Sequence, residues 1–203
     1  VNRLIKVTIM WLSLIGILTA LYIGLSRYRC LDRALPEAHA DSHLAQNKPY
    51  VSLEKAIVIL QPRTSQKRAV RLARAIRLES LINGLDPKLV LALAMRESSL
   101  HPLVEIGKIR GPRGELGLMQ IMPSGAAMRF RPKREGKPCN LRSAWCSVAT
   151  ATRYLRHLRD QCGGSKWVWI GAYSSRSCPS EKRANTMQGV QTVKHYYAMI
   201  AGG

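Results

Sequence analysis

The sequence predicts a mainly α-helical domain behind an N-terminal transmembrane helix, on three observations. Apolar residues recur at helical spacing in several separate segments. No stretch of any length alternates apolar and polar residues as a half-buried strand would. Nineteen uncharged residues run from Val7 to Leu25, enough for a helix about 28 Å long, close to the thickness of a bilayer's hydrocarbon core. The chain has 203 residues, 46% of them apolar, which suits one packed domain with appendages and argues against wholesale disorder.

The elements follow in order. A cleaved signal peptide would have a shorter apolar core with a small-x-small site just behind it. The one such site, Ala38–Ala40, stands well beyond the run, so residues 1–25 are expected as a retained anchor. Arg3 and Lys6 on one flank face Arg27, Arg29 and Arg33 on the other, which leaves the orientation open. Residues 26–50 mix charges, prolines and small polar residues as a tether does. The folded domain is expected over 51–203. "SLEKAIVIL" gives a short apolar element that stops at Gln61-Pro62. From Ser65 to Asn83, Ala69, Leu72, Ala73 and Ile76 recur at helical spacing, and Gly84 supplies a stop. Asp86 can cap the next helix, with Pro87 at its first position. Val148 to Leu158 and Thr186 to Ile200 again read as helices.

Five cysteines divide unevenly. Cys30 adjoins the apolar run, whereas Cys139, Cys146, Cys162 and Cys178 fall within forty residues. Four cysteines so close point to two disulfides, with three connectivities open and the sequential one, Cys139–Cys146 and Cys162–Cys178, the simplest. No zinc-type spacing occurs, and His101, His157 and His195 show no metal spacing either, so no cofactor is implied. Disulfides imply an oxidising compartment.

Against 12 carboxylates stand 32 Lys and Arg, a net charge of +20. Such an excess calls for an anionic partner: nucleic acid, an acidic lipid surface or an acidic cell-wall polymer. A nucleic-acid binder would be expected to carry a reading motif and stacking aromatics. The chain shows no such motif and has one Phe.

One of the scarce carboxylates, Glu97, lies on the apolar face of the helix begun at Pro87, below Val90, Leu93 and Ala94. Desolvation there favours its protonated form, and the negative end of the helix dipole pushes the same way. A carboxylic acid kept protonated near neutral pH is what general-acid cleavage of a glycosidic bond requires. The other reading is a glutamate paired with an arginine, Arg96 being its neighbour. Beyond it, "GPRGELGLMQIMP" sets Gly111, Gly114 and Gly117 before Met119 and Gln120. Sugar rings need such a mixture of close backbone, soft apolar surface and amide hydrogen bonds. Leu118, Met119 and Ile121 could equally be core. Trp145, Trp167 and Trp169 read first as packing residues.

"RESSLHP", then "GELGLMQIMP", then "WIGAYSS" some fifty residues on, resembles the catalytic domain of the soluble lytic transglycosylases, a family with the goose-type lysozyme fold. The likeness runs from about Pro87 to Tyr197. It implies Glu97 as the single catalytic acid and base, with Ser98 after it. Met119, Gln120 and Tyr173 fall on substrate-lining positions, and Tyr196 or Tyr197 falls on the tyrosine of the closing helix. The closing "TVKHYYAMI" fits the family's last helix only with a one-residue shift, and the chain departs from the family pattern at four further places. The stretch between Pro102 and Gly114 is longer, Gly111 stands where a serine is usual, Ser174 replaces an asparagine, and Arg176 replaces a glycine.

The activity implied is cleavage of the β-1,4 bond between N-acetylmuramic acid and N-acetylglucosamine in peptidoglycan, leaving 1,6-anhydro ends. A water-using muramidase would need a second carboxylate, for which Glu105 and Glu115 are the candidates, Glu115 reading more simply as an arginine-paired loop residue. A non-catalytic wall-binding protein on the same fold is a further alternative. The expected partners are peptidoglycan strands, the cytoplasmic membrane through the N-terminal helix, and a secretion, conjugation or phage assembly, with no nucleic acid. The expected location is membrane-anchored, with the domain in the periplasm or otherwise outside the cytoplasmic membrane.

Overall fold

The computed structural model describes residues 52–202. The apolar run Val7–Leu25, the tether and Cys30 lie outside the described residues. Among the described residues no helix is long and apolar enough to cross a membrane.

Eight α-helices carry the described fold: α1 (Leu53–Leu60), α2 (Gln66–Ile82), α3 (Pro87–Ser98), α4 (Pro102–Glu105), α5 (Ala144–Cys162), α6 (Lys166–Ser175), α7 (Glu181–Thr186) and α8 (Gln188–Gly202). A 3-10 turn, Ala126–Phe130, and a two-residue hairpin, β1 (Lys133–Arg134) against β2 (Lys137–Pro138), occupy the long connection before α5. The mainly helical expectation holds, and the hairpin is too short to leave an alternating pattern.

Local chemistry sets the helix starts. Ser52, Ser65, Asp86, Ser143, Ser165 and Ser180 each accept a backbone N–H of the first turn with their side chains, satisfying donors that have no partner inside the helix. Asp86 and Pro87 begin α3 as expected. Helices α4, α6 and α7 carry no long apolar period, which is why the pattern does not announce them.

Helix α3 differs from the one-faced helix that spacing suggests. Leu89 through Met95 are all buried, so α3 has no solvent face over two turns and runs through the centre. It packs chiefly against α8, while α5 packs against α2 and α6. Leu72, Ile76, Leu91, Leu93, Leu118, Met119, Leu155 and Ile170 form the middle of one continuous core.

Polar clamps fasten the periphery. Glu105, 1% exposed, accepts Arg68 Nε and Nη2 at 3.0 and 2.7 Å, and Arg71 lies 2.7 Å from its other oxygen. Glu79 accepts the Trp145 indole N–H at 2.7 Å. Cys139 bonds to Cys146 and Cys162 to Cys178, the sequential pairing. The first ties the hairpin to the start of α5; the second ties the end of α5 to the segment after α6.

Candidate active site

Because α3 is buried all round, its C-terminal end delivers the side chain of Glu97 from the core into a cleft. Arg96, Arg113, Glu115, Gln120, Tyr154, Tyr173, Ser174 and Arg176 are among the other residues lining it. The Glu97 side chain keeps 13% of its surface exposed. Burial raises its pKa above the ordinary carboxyl value, and the Arg96 guanidinium, hydrogen-bonded to Oε1, offsets only part of that rise. The negative charge of Glu115 pushes it up further, and Arg113 draws it down. Glu97 is thus paired with Arg96 and at the same time sits in a cleft where burial raises its pKa.

Arg96 is itself held. Its Nη1 also donates to Ser174 Oγ at 2.7 Å. Gly189 of α8 gives it room, since a Cβ there would stand 2.7 Å from Nη2. Ser174, where the family pattern has asparagine, thus steadies the arginine beside the acid.

The Gly-rich segment folds into a tight loop. Leu116 and Ile121 exchange two backbone hydrogen bonds at 2.9 Å. Gly117 turns the chain at φ +73°, where a Cβ would lie 2.2 Å from the Leu141 carbonyl oxygen. Gln120 takes φ +47°, unusual for a residue with a side chain, and its Nε2 donates to the Gly117 carbonyl at 3.0 Å. The loop sends Gln120 into the cleft and Met119 the other way, wholly into the core. Met119 reaches the site through its backbone: its carbonyl accepts the Tyr173 hydroxyl at 2.9 Å, and its N–H donates to Ser147 Oγ at 2.9 Å.

Tyr173 lines the cleft, and burial, then the charge of Glu97, raises its pKa well above the usual phenol value. It stays neutral and donates. Ser98 is buried and donates to the Ala94 carbonyl within its own helix, outside the cleft lining. Tyr196 lies against His195, with ring centroids 5.7 Å apart, and Tyr197 donates to Asp86 Oδ2 at 2.6 Å; neither lines the cleft. The structure therefore brings Glu97, Gln120 and Tyr173 together, and keeps Ser98, the Met119 side chain and Tyr196 apart from them.

The two candidate second carboxylates part company. Glu105 belongs to the Arg68 clamp and is absent from the cleft. Glu115 lines it. Burial pushes the Glu115 carboxyl up, but its own backbone N–H, the Arg113 N–H at 2.9 Å and the Arg113 guanidinium at 2.8 Å outweigh that and hold it below the ordinary value. Glu115 occupies the space that Gly111 leaves: a Cβ on Gly111 would sit 2.5 Å from both Glu115 Oε2 and Gln120 Oε1. Gly111, where the family pattern has serine, and the Glu115 carboxylate are thus in direct contact.

Residues 74–192, more than half of the chain, match the family described as the transglycosylase SLT domain. The chain belongs to that family. A search of curated proteins finds no match. Family membership makes this a lytic-transglycosylase-type domain with a lysozyme-like helical fold, as the motif order implied. The matched segment runs from within α2 into α8 and includes every cleft residue named above.

The sequence gives little sign of Tyr154. On α5 it has the spacing of a core aromatic, yet it lines the cleft with its ring centroid 5.8 Å from that of Tyr173. None of Trp145, Trp167 and Trp169 lines the cleft; Trp169 is core, as packing residues are. Among the described residues no group of His, Cys, Asp and Glu is placed to hold a metal ion.

Proposed function

We propose that the protein is a peptidoglycan lytic transglycosylase that cleaves the β-1,4 bond between N-acetylmuramic acid and N-acetylglucosamine, with Glu97 as its acid and base. The observation that carries this reading is a carboxyl, Glu97, whose pKa burial raises, at the end of a buried helix in the cleft of an SLT domain. In this scheme protonated Glu97 gives its proton to the leaving glycosidic oxygen as the sugar gains oxocarbenium character. The carboxylate so formed has Arg96 on Oε1, and the guanidinium stabilises the charge that appears at that step. The carboxylate then takes the proton from the muramic acid's own 6-hydroxyl as that oxygen closes on the anomeric carbon. The product is a 1,6-anhydro end. The Tyr173 hydroxyl, whose own proton goes to the Met119 carbonyl, accepts a hydrogen bond from the sugar, and the Gln120 amide supplies another.

We place the domain outside the cytoplasmic membrane, anchored by residues 1–25. Two disulfides, a +20 charge and an anionic wall polymer support that placement. A role within a secretion, conjugation or phage assembly belongs to the same reading.

Glu115 favours one alternative. Two carboxylates in one cleft, one pKa raised and one lowered, are the pairing that a water-using muramidase employs. Its ion pair with Arg113 favours instead a fixed loop residue. Digestion of purified peptidoglycan by the full chain, beside Glu97→Gln, with mass analysis of the fragments, separates the readings. Anhydro ends from the parent alone are expected. Reducing ends would transfer the reaction to water. Binding without cleavage by either protein would make the domain a wall-binding scaffold.

A further inference from the structure

The cleft carries an imbalance of charge that the proposed reaction does not use. Arg96, Arg113 and Arg176 line it against Glu97 and Glu115. Arg96 is matched to Glu97 and Arg113 to Glu115. Arg176 pairs with no carboxylate among the described residues, and it is exposed. The cleft is therefore positive by one charge, and by two whenever Glu97 holds its proton.

Arg176 also stands in a backbone conformation that disfavours it. It ends α6 at φ +64°, ψ 9°, its N–H donating to the Ala172 carbonyl at 2.8 Å. This left-handed capping position is the one at which glycine is best and any other residue costs free energy. Of the described non-glycine residues at positive φ, only Arg176 and Gln120 line the cleft, and a strained position beside a site is a starting point for a functional reading. A guanidinium is the group suited to gripping a carboxylate through two parallel hydrogen bonds. Tyr154 lines the same cleft, near enough for the Arg176 charge to act on its phenol.

We propose that Arg176 reads the substrate's charge, its guanidinium holding a carboxylate carried on the glycan strand beside the scissile bond. This rests on the cleft being the glycan site. Two sources share that chemistry: the free lactyl carboxylate of a muramic acid without its peptide, and the carboxylates of a peptide stem. Neutral N-acetylglucosamine polymers have neither, so Arg176 makes the cleft selective for wall glycan over chitin-like glycan.

The test is equilibrium binding by the full-length chain in neutral detergent, with Glu97→Gln throughout to prevent turnover, so that any effect of freeing Arg96 is common to all samples. The probes are three glycans of equal length: a chito-oligosaccharide, peptidoglycan strands stripped of their stems, and stem-bearing strands. The carboxylate-bearing glycans are expected to bind about tenfold more tightly than the neutral one, the size of one charge-assisted contact. With binding measured at half-molar salt, which screens the attraction of the chain's overall +20 charge, adding Arg176→Gly should bring that ratio close to one, and Arg176→Lys should keep part of it. Since glycine suits the backbone there, the Arg176→Gly protein should unfold at or above the parent temperature, which removes misfolding as an explanation. If stripped strands already show the full advantage, the lactyl group is the ligand; if only stem-bearing strands do, the stem is. A ratio unchanged by Arg176→Gly, or no preference at the start, overturns the proposal. No measurable binding of any glycan overturns it together with the glycan reading of the cleft. Failure of the catalytic reading looks different: the chain with Glu97 intact would release no fragments from peptidoglycan, while the Arg176-dependent ratio persisted.

Discussion

Glu97 is held between two opposed forces. Burial favours its proton and Arg96 favours its charge, with burial the larger. The consequence for stability has a definite sign. With the folded-state pKa raised, the unfolded chain gives up this proton first as pH rises past the usual carboxyl range. Between the unfolded and folded values the native state binds more protons, so stability falls with rising pH across that window. Glu97→Gln removes the ionisable group while Arg96 keeps its bond to Ser174. The Gln protein is expected to unfold at a higher temperature than the parent at pH 7, with the gap closing as pH falls below about 4, where both states of the parent become protonated. Thermal unfolding followed by circular dichroism at several pH values reads this directly. A Gln variant less stable at pH 7 would mean that the Arg96 pair outweighs the cost of burial.

At the scale of elements, the site depends on one loop and one helix end. The Leu116–Ile121 loop holds its shape through Gly117, which faces the Leu141 carbonyl too closely for any side chain. Gly117→Ala meets both a positive φ and a backbone clash, so a loss of about 3 kcal/mol or more is expected, measurable by denaturant unfolding. Because the loop also carries the Met119 carbonyl that Tyr173 donates to, that variant should lose its proposed activity further than its stability alone explains. Gly111 is the opposite case. What lies nearest a Cβ placed there are the ends of the Glu115 and Gln120 side chains, which can swing away, with the Glu115 Cβ at 3.0 Å as the fixed part of the crowding. Much of this was legible beforehand. Asp86-Pro87 marked the start of α3, Ser65 and Gly84 bounded α2, and the sequential disulfide pairing was the simplest of the three that spacing left open. These are local signals, settled within a turn or within a short loop. Helix α6 gave no such signal, because buried Val168, Trp169, Ile170, Gly171 and Ala172 form a run without a polar face.

At the scale of the molecule, the chain's +20 charge sets long-range attraction rather than chemistry. In the proposed setting it concentrates the domain on an acidic wall. Sedimentation with insoluble peptidoglycan should therefore weaken by about tenfold or more between low salt and half-molar salt, as screening shortens the reach of the charge. Salt-independent binding would show instead that sugar contacts carry the affinity.

The sequence by itself determined the helical class, the family, the starts of α2 and α3 and the presence of an acid at the end of an apolar helix. Each of these depends on residues near one another in the chain or on motif order. Only the tertiary structure decided which side chains face the cleft. Met119 and Gln120 are neighbours, yet the turn at Gln120 sends one to the core and the other to the site. Tyr154, Ser174 and Arg176 come from distant helices, and Glu115 enters because Gly111 leaves it room. Side-chain direction and long-range packing follow from how α3, α5 and α6 meet, and no local pattern encodes where three helices converge.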